Sequence, residues 1–180
     1  MQLDRIMVIG AGQMGGGIAQ VAAQAGLQVV LNDLKPEFIE RGLATMRKNL
    51  ERNLAKGKVT AEEMAAALGR ITTSTSLEDA AGVDIVVEAA SENMAIKTEI
   101  FKTLDRVAPA STILASNTSS LPITELAAVT KRPAQVIGMH FMNPVPVMPL
   151  VEVIRGIATT DAVYQAVHEL SLRMGKTPVA

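Results

Sequence analysis

The sequence predicts an α/β fold in which a mainly parallel, doubly wound β-sheet carries helices on both faces. Short apolar runs alternate with segments of helical periodicity along the 180 residues, and this alternation is typical of βαβ units. The apolar runs lack the polar alternation of half-exposed strands, so we expect the strands to be buried on both sides. The length suits a substantial core, and we expect residues 1–180 to form one domain.

The elements can be assigned in chain order from the period of the apolar residues. The predicted strands are Ile6–Ile9, Gln28–Leu31, Ile85–Val87, Thr112–Ala115, Val136–Met139 and Leu150–Ile154. The predicted helices are Met14–Ala25, a pair between Pro36 and about Leu68, Glu92–Val107, Ile123–Val129 and Asp161–Arg173. The helical pair is an insertion after the second strand, where a short crossover would be enough.

Composition excludes several classes of function. The chain has 17 basic and 18 acidic residues and a net charge of −1, which provides no electrostatic basis for binding nucleic acid. Aromatic residues make up only 2%, so a platform for stacking bases is not expected either. The absence of cysteine excludes disulfides, thiolate metal sites and a cysteine nucleophile, and we predict no metal site.

The segment Ile6–Asn32 carries no charge and is long enough to resemble a membrane span. Its periodicity changes at the glycines, however, so we interpret it as a strand, a loop and a helix. The amino terminus also lacks the basic start and short apolar run of a signal peptide. We therefore expect a cytoplasmic protein without membrane association.

A glycine-rich loop follows the first predicted strand, with the sequence Gly10-Ala11-Gly12-Gln13-Met14-Gly15. The first glycine permits a tight turn, the second lets the backbone approach a pyrophosphate, and the third allows the helix to pack on the sheet. The pyrophosphate would then lie at the positive end of the helix dipole. The loop in this strand–helix context predicts a Rossmann-type dinucleotide site.

Asp33 ends the second strand, 23 residues after Gly10. A carboxylate there can accept hydrogen bonds from the adenine-ribose hydroxyls and would repel a 2′-phosphate. The next residues are Leu34 and Lys35, so no arginine directly follows. We therefore predict that the cofactor is NAD; the alternative is that Asp33 only caps the next helix.

The first inserted helix is predicted to have one apolar and one basic face. The apolar face comprises Ile39, Leu43, Met46, Leu50 and Leu54. The basic face, hereafter the basic stripe, comprises Arg41, Lys48, Arg52 and Lys56, which lie within roughly 80° of one another at about 100° per residue. The stripe is either a solvated surface or a binding site for a polyanionic substrate.

Of the two histidines, His140 is the candidate for chemistry, while His168 lies on an amphipathic helix and is expected at the surface. His140 ends a strand, at the sheet edge where parallel strands deliver side chains to a cofactor. A neutral imidazole there can take a hydroxyl proton while a hydride leaves for nicotinamide. Glu152, on an apolar strand, is its candidate partner; the alternative is a capped strand end and an edge-strand acid.

Two further polar clusters have open interpretations. Ser116-Asn117-Thr118-Ser119-Ser120 follows a strand and is either a capping turn or a binder of amide and hydroxyl groups. Glu92 and Lys97 open a predicted helix. The plain interpretation of those two is a helix-start acid and an exposed lysine.

Together these segments resemble the short-chain 3-hydroxyacyl-CoA dehydrogenase family, which includes bacterial 3-hydroxybutyryl-CoA dehydrogenases. The matching stretches are VIGAGQMGGGIAQ, DIVVEAASEN with the following Lys97, SNTSSLPI, GMHFMNPVPVMPLVEVI and the terminal GKTPV. HFMNPVPVMPLVE is the most specific of them, because many unrelated dehydrogenases share the glycine loop.

The resemblance implies that (S)-3-hydroxyacyl-CoA is oxidised to 3-ketoacyl-CoA with NAD, or the reverse. It implies that His140 is the catalytic base, that Glu152 is its paired acid and that Ser119 contacts the 3-oxygen of the substrate. It also implies that Asn143 belongs to the catalytic residues. It implies further cofactor contacts from Gly10, Gly12, Gln13, Met14, Gly15, Asp33, Ala89, Ala90, Glu92, Lys97, Asn117, Ser119 and Asn143. Of these, Asn117 and Asn143 match residues near the nicotinamide ribose and ring. In the family the helical insertion helps to hold coenzyme A, which favours Lys48, Arg52 and Lys56 as phosphate contacts.

Family members continue into an all-helical domain that forms a homodimer, closes the active site and supplies a catalytic asparagine. This chain stops at Ala180, so we expect an amino-terminal domain that binds NAD but has little or no activity alone. Two rival functions remain: a catalytically silent NAD-binding module, and a dehydrogenase of free hydroxy acids. His140, Glu152 and Ser119 disfavour the first, and the basic insertion disfavours the second.

Overall fold

The computed structural model describes residues 1–118 and 122–180, which form an α/β fold around one eight-stranded sheet. The strands are β1 Arg5–Ile9, β2 Gln28–Asn32, β3 Ile71–Ser74, β4 Ile85–Glu88, β5 Ile113–Ser116, β6 Val136–Phe141, β7 Leu150–Arg155 and β8 Thr177–Val179. The α-helices are α1 Gln13–Gln24, α2 Pro36–Ala55, α3 Ala61–Gly69, α4 Met94–Val107, α5 Ile123–Ala128 and α6 Asp161–Arg173. Short 3-10 helices cover Leu77–Gly82 and Pro133–Gln135.

The sheet has the strand order β3-β2-β1-β4-β5-β6-β7-β8. Neighbours from β3 to β6 pair in parallel, and β7 then pairs antiparallel with β6 and parallel with β8. The chain reverses its direction of winding between β1 and β4. A doubly wound sheet binds its ligand at such a switch point, outside the carboxyl ends of the strands. The predicted fold class is therefore confirmed.

Apolar clusters cover the two faces of the sheet. Ile6 and Val8 of β1 belong to one cluster with α1 and α2, whereas Met7 and Ile9 belong to the other with α4 and α5. This alternation within one strand explains the continuous apolar run, because each side chain meets a helix on its own face. On α2, Ile39, Met46 and Leu50 are buried.

Several sequence-based boundaries and burial assignments need correction. Leu54, predicted on the buried face of α2, is 38% exposed, because it lies in the last turn of that helix, where the core ends. Helix α4 begins at Met94 and not at Glu92, since the Asn93 side chain caps it by accepting from the Ile96 N–H. His168, expected at the surface, is half-buried and its Nδ1 lacks a hydrogen-bond partner among the described residues.

Two strands were not predicted. β3 has the sequence Ile71-Thr-Thr-Ser74, and β8 contains Pro178. Among the described residues β3 pairs with β2 alone and β8 with β7 alone. Edge strands need apolar residues on fewer positions and tolerate proline, so they lack the apolar run that identifies a central strand. Within the described ranges, none of the helices has the length and apolar character needed to cross a bilayer.

Candidate cofactor and active site

The three glycines of the Gly10–Gly15 motif, two in the β1–α1 loop and one in the first turn of α1, have different structural roles. Gly10 has φ of +100°, and a Cβ there would lie 2.8 Å from the Ala89 carbonyl oxygen. A Cβ on Gly15 would lie 1.6 Å from the Gly10 carbonyl oxygen, so this position packs the helix against the loop. A Cβ on Gly12 would meet nothing within 4 Å, which leaves open space where a pyrophosphate could approach the start of α1.

Asp33 lies beside this loop at the carboxyl end of β2. Its Oδ2 accepts from the Ala11 N–H at 2.8 Å and its Oδ1 from the Leu34 N–H at 2.6 Å. The residue before α2 is Lys35 and it provides no side-chain cap, so Asp33 is not the cap of that helix. These bonds hold the carboxylate at the rim of the crevice.

A largely apolar cavity of about 780 Å³ adjoins Asp33 between β2 and α4. Its lining includes Gly10, Asp33, Leu34, Ala90, Ile96 and Ile100. Largely apolar walls with the Asp33 carboxylate beside the glycine loop suit an adenine ring and its ribose hydroxyls. The cavity is also within the size range of cofactor sites, roughly 300–1,000 Å³. We refer to it as the adenosine cavity.

A second cavity, of about 290 Å³, lies on the other side of the β4–α4 loop. Its lining consists of Met14, Ala89, Ala90, Ser91, Glu92, Lys97 and Asn117. All of these residues except Ser91 are predicted cofactor contacts. The fold brings them together from α1, the β4–α4 loop, α4 and the end of β5. We refer to it as the inner cavity. Glu92 is exposed at its rim, where its Oε2 accepts from the Thr118 hydroxyl at 3.0 Å.

Lys97 does not have the environment that its plain interpretation predicted. It is completely buried, and its Nζ donates to Glu88 Oε1 at 2.5 Å and to Ser116 Oγ at 3.3 Å. Glu88, also completely buried, was not singled out from the sequence. The available signal was a carboxylate closing the apolar strand Ile85–Glu88, since buried acids are rare unless paired.

His140 and Glu152 come together across the antiparallel β6–β7 pair, where they are register partners. The His140 Nδ1 lies 3.1 Å from Glu152 Oε1, and the side chains of His140 and Glu152 are 19% and 46% exposed. An ionised carboxylate only accepts hydrogen bonds, so Nδ1 carries the proton and Nε2 keeps a free lone pair. The pair can therefore accept a proton at Nε2 and stabilise the resulting imidazolium.

Two of the remaining predicted site residues, Asn117 and Asn143, lie within the described part of the chain. Asn117 is buried, and its Oδ1 accepts from the Phe141 N–H at 2.7 Å, which ties the end of β5 to β6 beside His140. Asn143 is exposed in the loop after β6 and outside the linings of both cavities. The prediction for Ser119 lies outside the described residues.

The loop after β6 is held from two directions. The buried Lys176 donates from Nζ to the carbonyls of Val145 at 2.5 Å and Met148 at 2.7 Å. Burial lowers the pKa of Lys176 below its usual value of 10.5. From the other side the loop packs on α1, where a Cβ on Gly17 would lie 2.7 Å from that of Val145.

A groove of about 390 Å³ runs between α1, α2 and the loop after β6, next to Gly12. Arg41, Thr45 and Asn49 line it from α2. At about 100° per residue these positions share a helical face with Lys48, Arg52 and Lys56, all of which are exposed. The basic stripe is therefore continuous with the wall of the groove, and Lys56 lies just beyond the last residue of α2.

The strand order, the glycine loop and the cavities on either side of the β4–α4 loop define a dinucleotide-binding Rossmann domain of the dehydrogenase class. Residues 5–180 match the family described as 3-hydroxyacyl-CoA dehydrogenase, NAD binding domain. The chain belongs to this family, and its cofactor is NAD.

Individual relatives agree with this assignment. A protein of Bacillus subtilis named a probable 3-hydroxybutyryl-CoA dehydrogenase is 60% identical over 179 residues, which cover 99% of this chain and 62% of the relative. A crystal structure of (S)-3-hydroxybutyryl-CoA dehydrogenase from Ralstonia eutropha superposes with a TM-score of 0.97 at 48% identity, covering 99% of this chain and 63% of that one. That of the 3-hydroxybutyryl-CoA dehydrogenase from Escherichia coli has a TM-score of 0.98 at 43% identity, covering 99% and 38%. The chain thus spans less than two thirds of these relatives.

Proposed function

We propose that this chain carries the NAD site and the catalytic base of a 3-hydroxyacyl-CoA dehydrogenase. The reaction is oxidation of an (S)-3-hydroxyacyl-CoA to the 3-ketoacyl-CoA, or the reverse reduction. The observation that carries the proposal is the 3.1 Å contact between His140 Nδ1 and Glu152 Oε1 at the sheet edge that also forms the cofactor cavities. A silent NAD-binding module has no need for this pair.

Each part of the reaction can be assigned to residues of this chain. Bound NAD supplies the hydride acceptor for the C3 hydrogen of the substrate. His140 Nε2 takes the proton of the 3-hydroxyl, so that the C–O bond becomes a carbonyl as the hydride leaves. Glu152 stabilises the imidazolium through the bond it accepts from Nδ1–H. We assign contacts with the 3-oxygen to Ser119 and contacts near the nicotinamide to Asn117 and Asn143.

The cofactor is held by the residues around the two cavities. The open backbone at Gly12 and the start of α1 would receive the pyrophosphate, with Gln13, Met14 and Gly15 continuing the helix away from it. Asp33 would accept from the ribose hydroxyls in the adenosine cavity. Ala89, Ala90, Glu92 and Lys97 bound the inner cavity and would hold the nicotinamide half.

Coenzyme A is assigned to the groove between α1 and α2. The groove begins beside Gly12, and its wall continues into the basic stripe. This layout suits an acyl-CoA whose acyl group lies next to the cofactor and whose phosphates lie along the stripe. Lys48, Arg52 and Lys56 lie exposed along the outer part of this path. A dehydrogenase of free hydroxy acids would have no use for these three cations.

The rest of the catalytic unit is proposed by analogy with the longer relatives. A helical part would close the site, form a homodimer and exclude water, and the enzyme would act in the cytoplasm. We refer to this chain joined after residue 180 to the remaining part of the Bacillus subtilis relative as the extended chain.

The test is NADH-dependent reduction of acetoacetyl-CoA by the extended chain, followed spectrophotometrically. His140→Gln should lower kcat by about 10²–10⁴-fold, the range typical of a general base. His168→Gln is the matched control and should retain activity, because His168 lies on α6 away from both cavities. Equal rates for the two variants would refute the proposed role of His140.

A further inference from the structure

A buried ionic cluster lies beneath the cofactor cavities and consists of Glu88, Lys97 and Ser116, each of which is completely buried. Glu88 ends β4 and Ser116 ends β5, and the two are register partners. Lys97 comes from the first turn of α4. The cluster therefore joins three elements at the carboxyl edge of the sheet.

The hydrogen bonds within the cluster form a closed triangle. Glu88 Oε1 accepts from Lys97 Nζ at 2.5 Å and from the Ser116 hydroxyl at 2.8 Å. Ser116 Oγ in turn accepts from Lys97 Nζ at 3.3 Å. An ammonium group has three N–H donors, and described residues accept from two of those of Lys97. Lys97 also belongs to the lining of the inner cavity.

The second carboxylate oxygen of Glu88 holds the loop that separates the cavities. Glu88 Oε2 accepts from the Ala90 N–H at 2.8 Å and from the Ser91 N–H at 3.3 Å. Ala89, Ala90 and Ser91 line both the adenosine cavity and the inner cavity. One carboxylate thus determines the position of the shared loop and of the lysine.

Stability alone does not explain this arrangement. A buried ion pair loses about as much in desolvation as it gains in attraction, and apolar residues of similar volume often serve folding equally well. A role in ordering the cofactor site would explain the pair, because a ligand binds more tightly when its contacts are already ordered.

We propose that Glu88 is a positioning residue of the NAD site: it holds the backbone of residues 89–91 and the Lys97 ammonium in place before the cofactor binds. The inference rests on the assignment of NAD as cofactor. Glu88 itself lines neither cavity, so it acts through the loop and through Lys97.

The experiment compares the double variants E88M/K97M and E88Q/K97M. Both remove the two charges together, so neither leaves a single charge buried, and both should unfold within a few degrees of each other. They differ in one respect: the glutamine side chain keeps a carbonyl oxygen that can accept from the loop, whereas the methionine side chain has none. E88M/K97M should therefore bind NADH about tenfold more weakly than E88Q/K97M, as expected for the loss of one or two hydrogen bonds.

Amide hydrogen exchange provides a second readout, which a general loss of stability would not reproduce. The N–H groups of Ala90 and Ser91 should exchange faster in E88M/K97M than in E88Q/K97M, while amides in β1 remain equally protected. Glu169→Gln, which removes a carboxylate on α6, should change neither exchange at the loop nor NADH affinity.

A third measurement needs no substitution. In the parent protein the Ala90 amide should already be protected without NADH, and protection that arises only on cofactor binding would overturn the proposal. Equal NADH affinities for the two double variants would also overturn it. If the parent itself failed to bind NADH in the same titration, the assignment of NAD as the cofactor would be wrong. This result is distinguishable from a failure of the role proposed for Glu88, in which the parent binds NADH.

Discussion

His140 and Glu152 are opposite each other in the antiparallel pairing of β6 and β7, and their side chains meet at 3.1 Å between Nδ1 and Oε1. The antiparallel turn of the sheet after β6 creates this contact. If β7 were parallel to β6, a crossover helix would have to precede it. A residue from after that helix would then lie opposite His140 in place of Glu152. The reversal therefore brings an acid to the base within twelve residues of chain.

This contact predicts the effect of Glu152→Gln in the extended chain. The substitution removes the negative charge that stabilises the imidazolium and allows the wrong tautomer, so kcat should fall by about 10²-fold or more. NADH affinity should change less than about twofold, because Glu152 lines neither cavity. Steady-state kinetics beside a cofactor-fluorescence titration separates these effects. A parallel loss of cofactor binding would contradict the role assigned to Glu152.

Asp33 predicts a strong preference for NADH over NADPH. A 2′-phosphate would face the carboxylate, and the nearby cations Lys35 and Arg41 lie over the Phe38 ring at 5.8 and 5.5 Å from its centroid. Asp33→Asn should weaken NADH binding by about 10–100-fold, as for loss of hydrogen bonds to a charged group. Glu40→Gln, an exposed charge on α2, is the control. Similar dissociation constants of the parent for the two cofactors would refute the assignment of Asp33.

The basic stripe predicts salt-dependent binding of the coenzyme. Charge reversal at Lys48, Arg52 and Lys56 should weaken acetyl-CoA binding at low salt, and the loss should shrink as ionic strength rises. NADH affinity should stay constant, because none of the three residues lines a cofactor cavity. Lys131→Glu, at an exposed position before β6, controls for net charge. Calorimetric titrations that are identical for variant and parent would show that the stripe is only a solvated surface.

The buried Lys176 predicts a pH dependence of stability. Its pKa in the folded protein is lowered below 10.5 by burial, so the unfolded chain binds more protons between the folded pKa and 10.5. The contribution of this group to the free energy of unfolding therefore rises with pH across that window. Relative to Lys176→Met, the parent should gain stability as pH approaches 10.5. Urea unfolding at a series of pH values measures the difference in the free energy of unfolding between the parent and Lys176→Met. A difference that stays constant or falls as pH rises would contradict the burial of the Lys176 ammonium.

The sequence predicts those features that depend on local pattern. The positions of the central strands along the chain follow from apolar runs. The dinucleotide loop at Gly10–Gly15 and the acid at Asp33 follow from glycine spacing and from their places after the first two strands. The Glu88–Lys97–Ser116 cluster could not be predicted in the same way. The burial of Lys97 depends on partners from two other elements, and a lysine in the first turn of a helix is ordinarily exposed.

The two edge strands, β3 and β8, were not predicted for a related reason. β3 is formed by two threonines and a serine beside Ile71, and only its pairing with β2 makes this segment a strand. β-Propensity depends on such neighbours more than on the segment itself. The half-burial of His168 likewise depends on packing around α6 and not on the helical pattern of that segment.

We expect residues 1–180 to contain the complete NAD site but only part of the catalytic site. Steady-state reduction of acetoacetyl-CoA by this chain, measured beside the extended chain, tests it most directly. Both should bind NADH with similar affinity, because the glycine loop, Asp33 and both cavities lie within this chain. Turnover by this chain should be slower by about 10²-fold or more, since misplacing a substrate by about 1 Å already costs that much. Equal kcat/KM for the two proteins would contradict the account, because it would show that these residues suffice for catalysis.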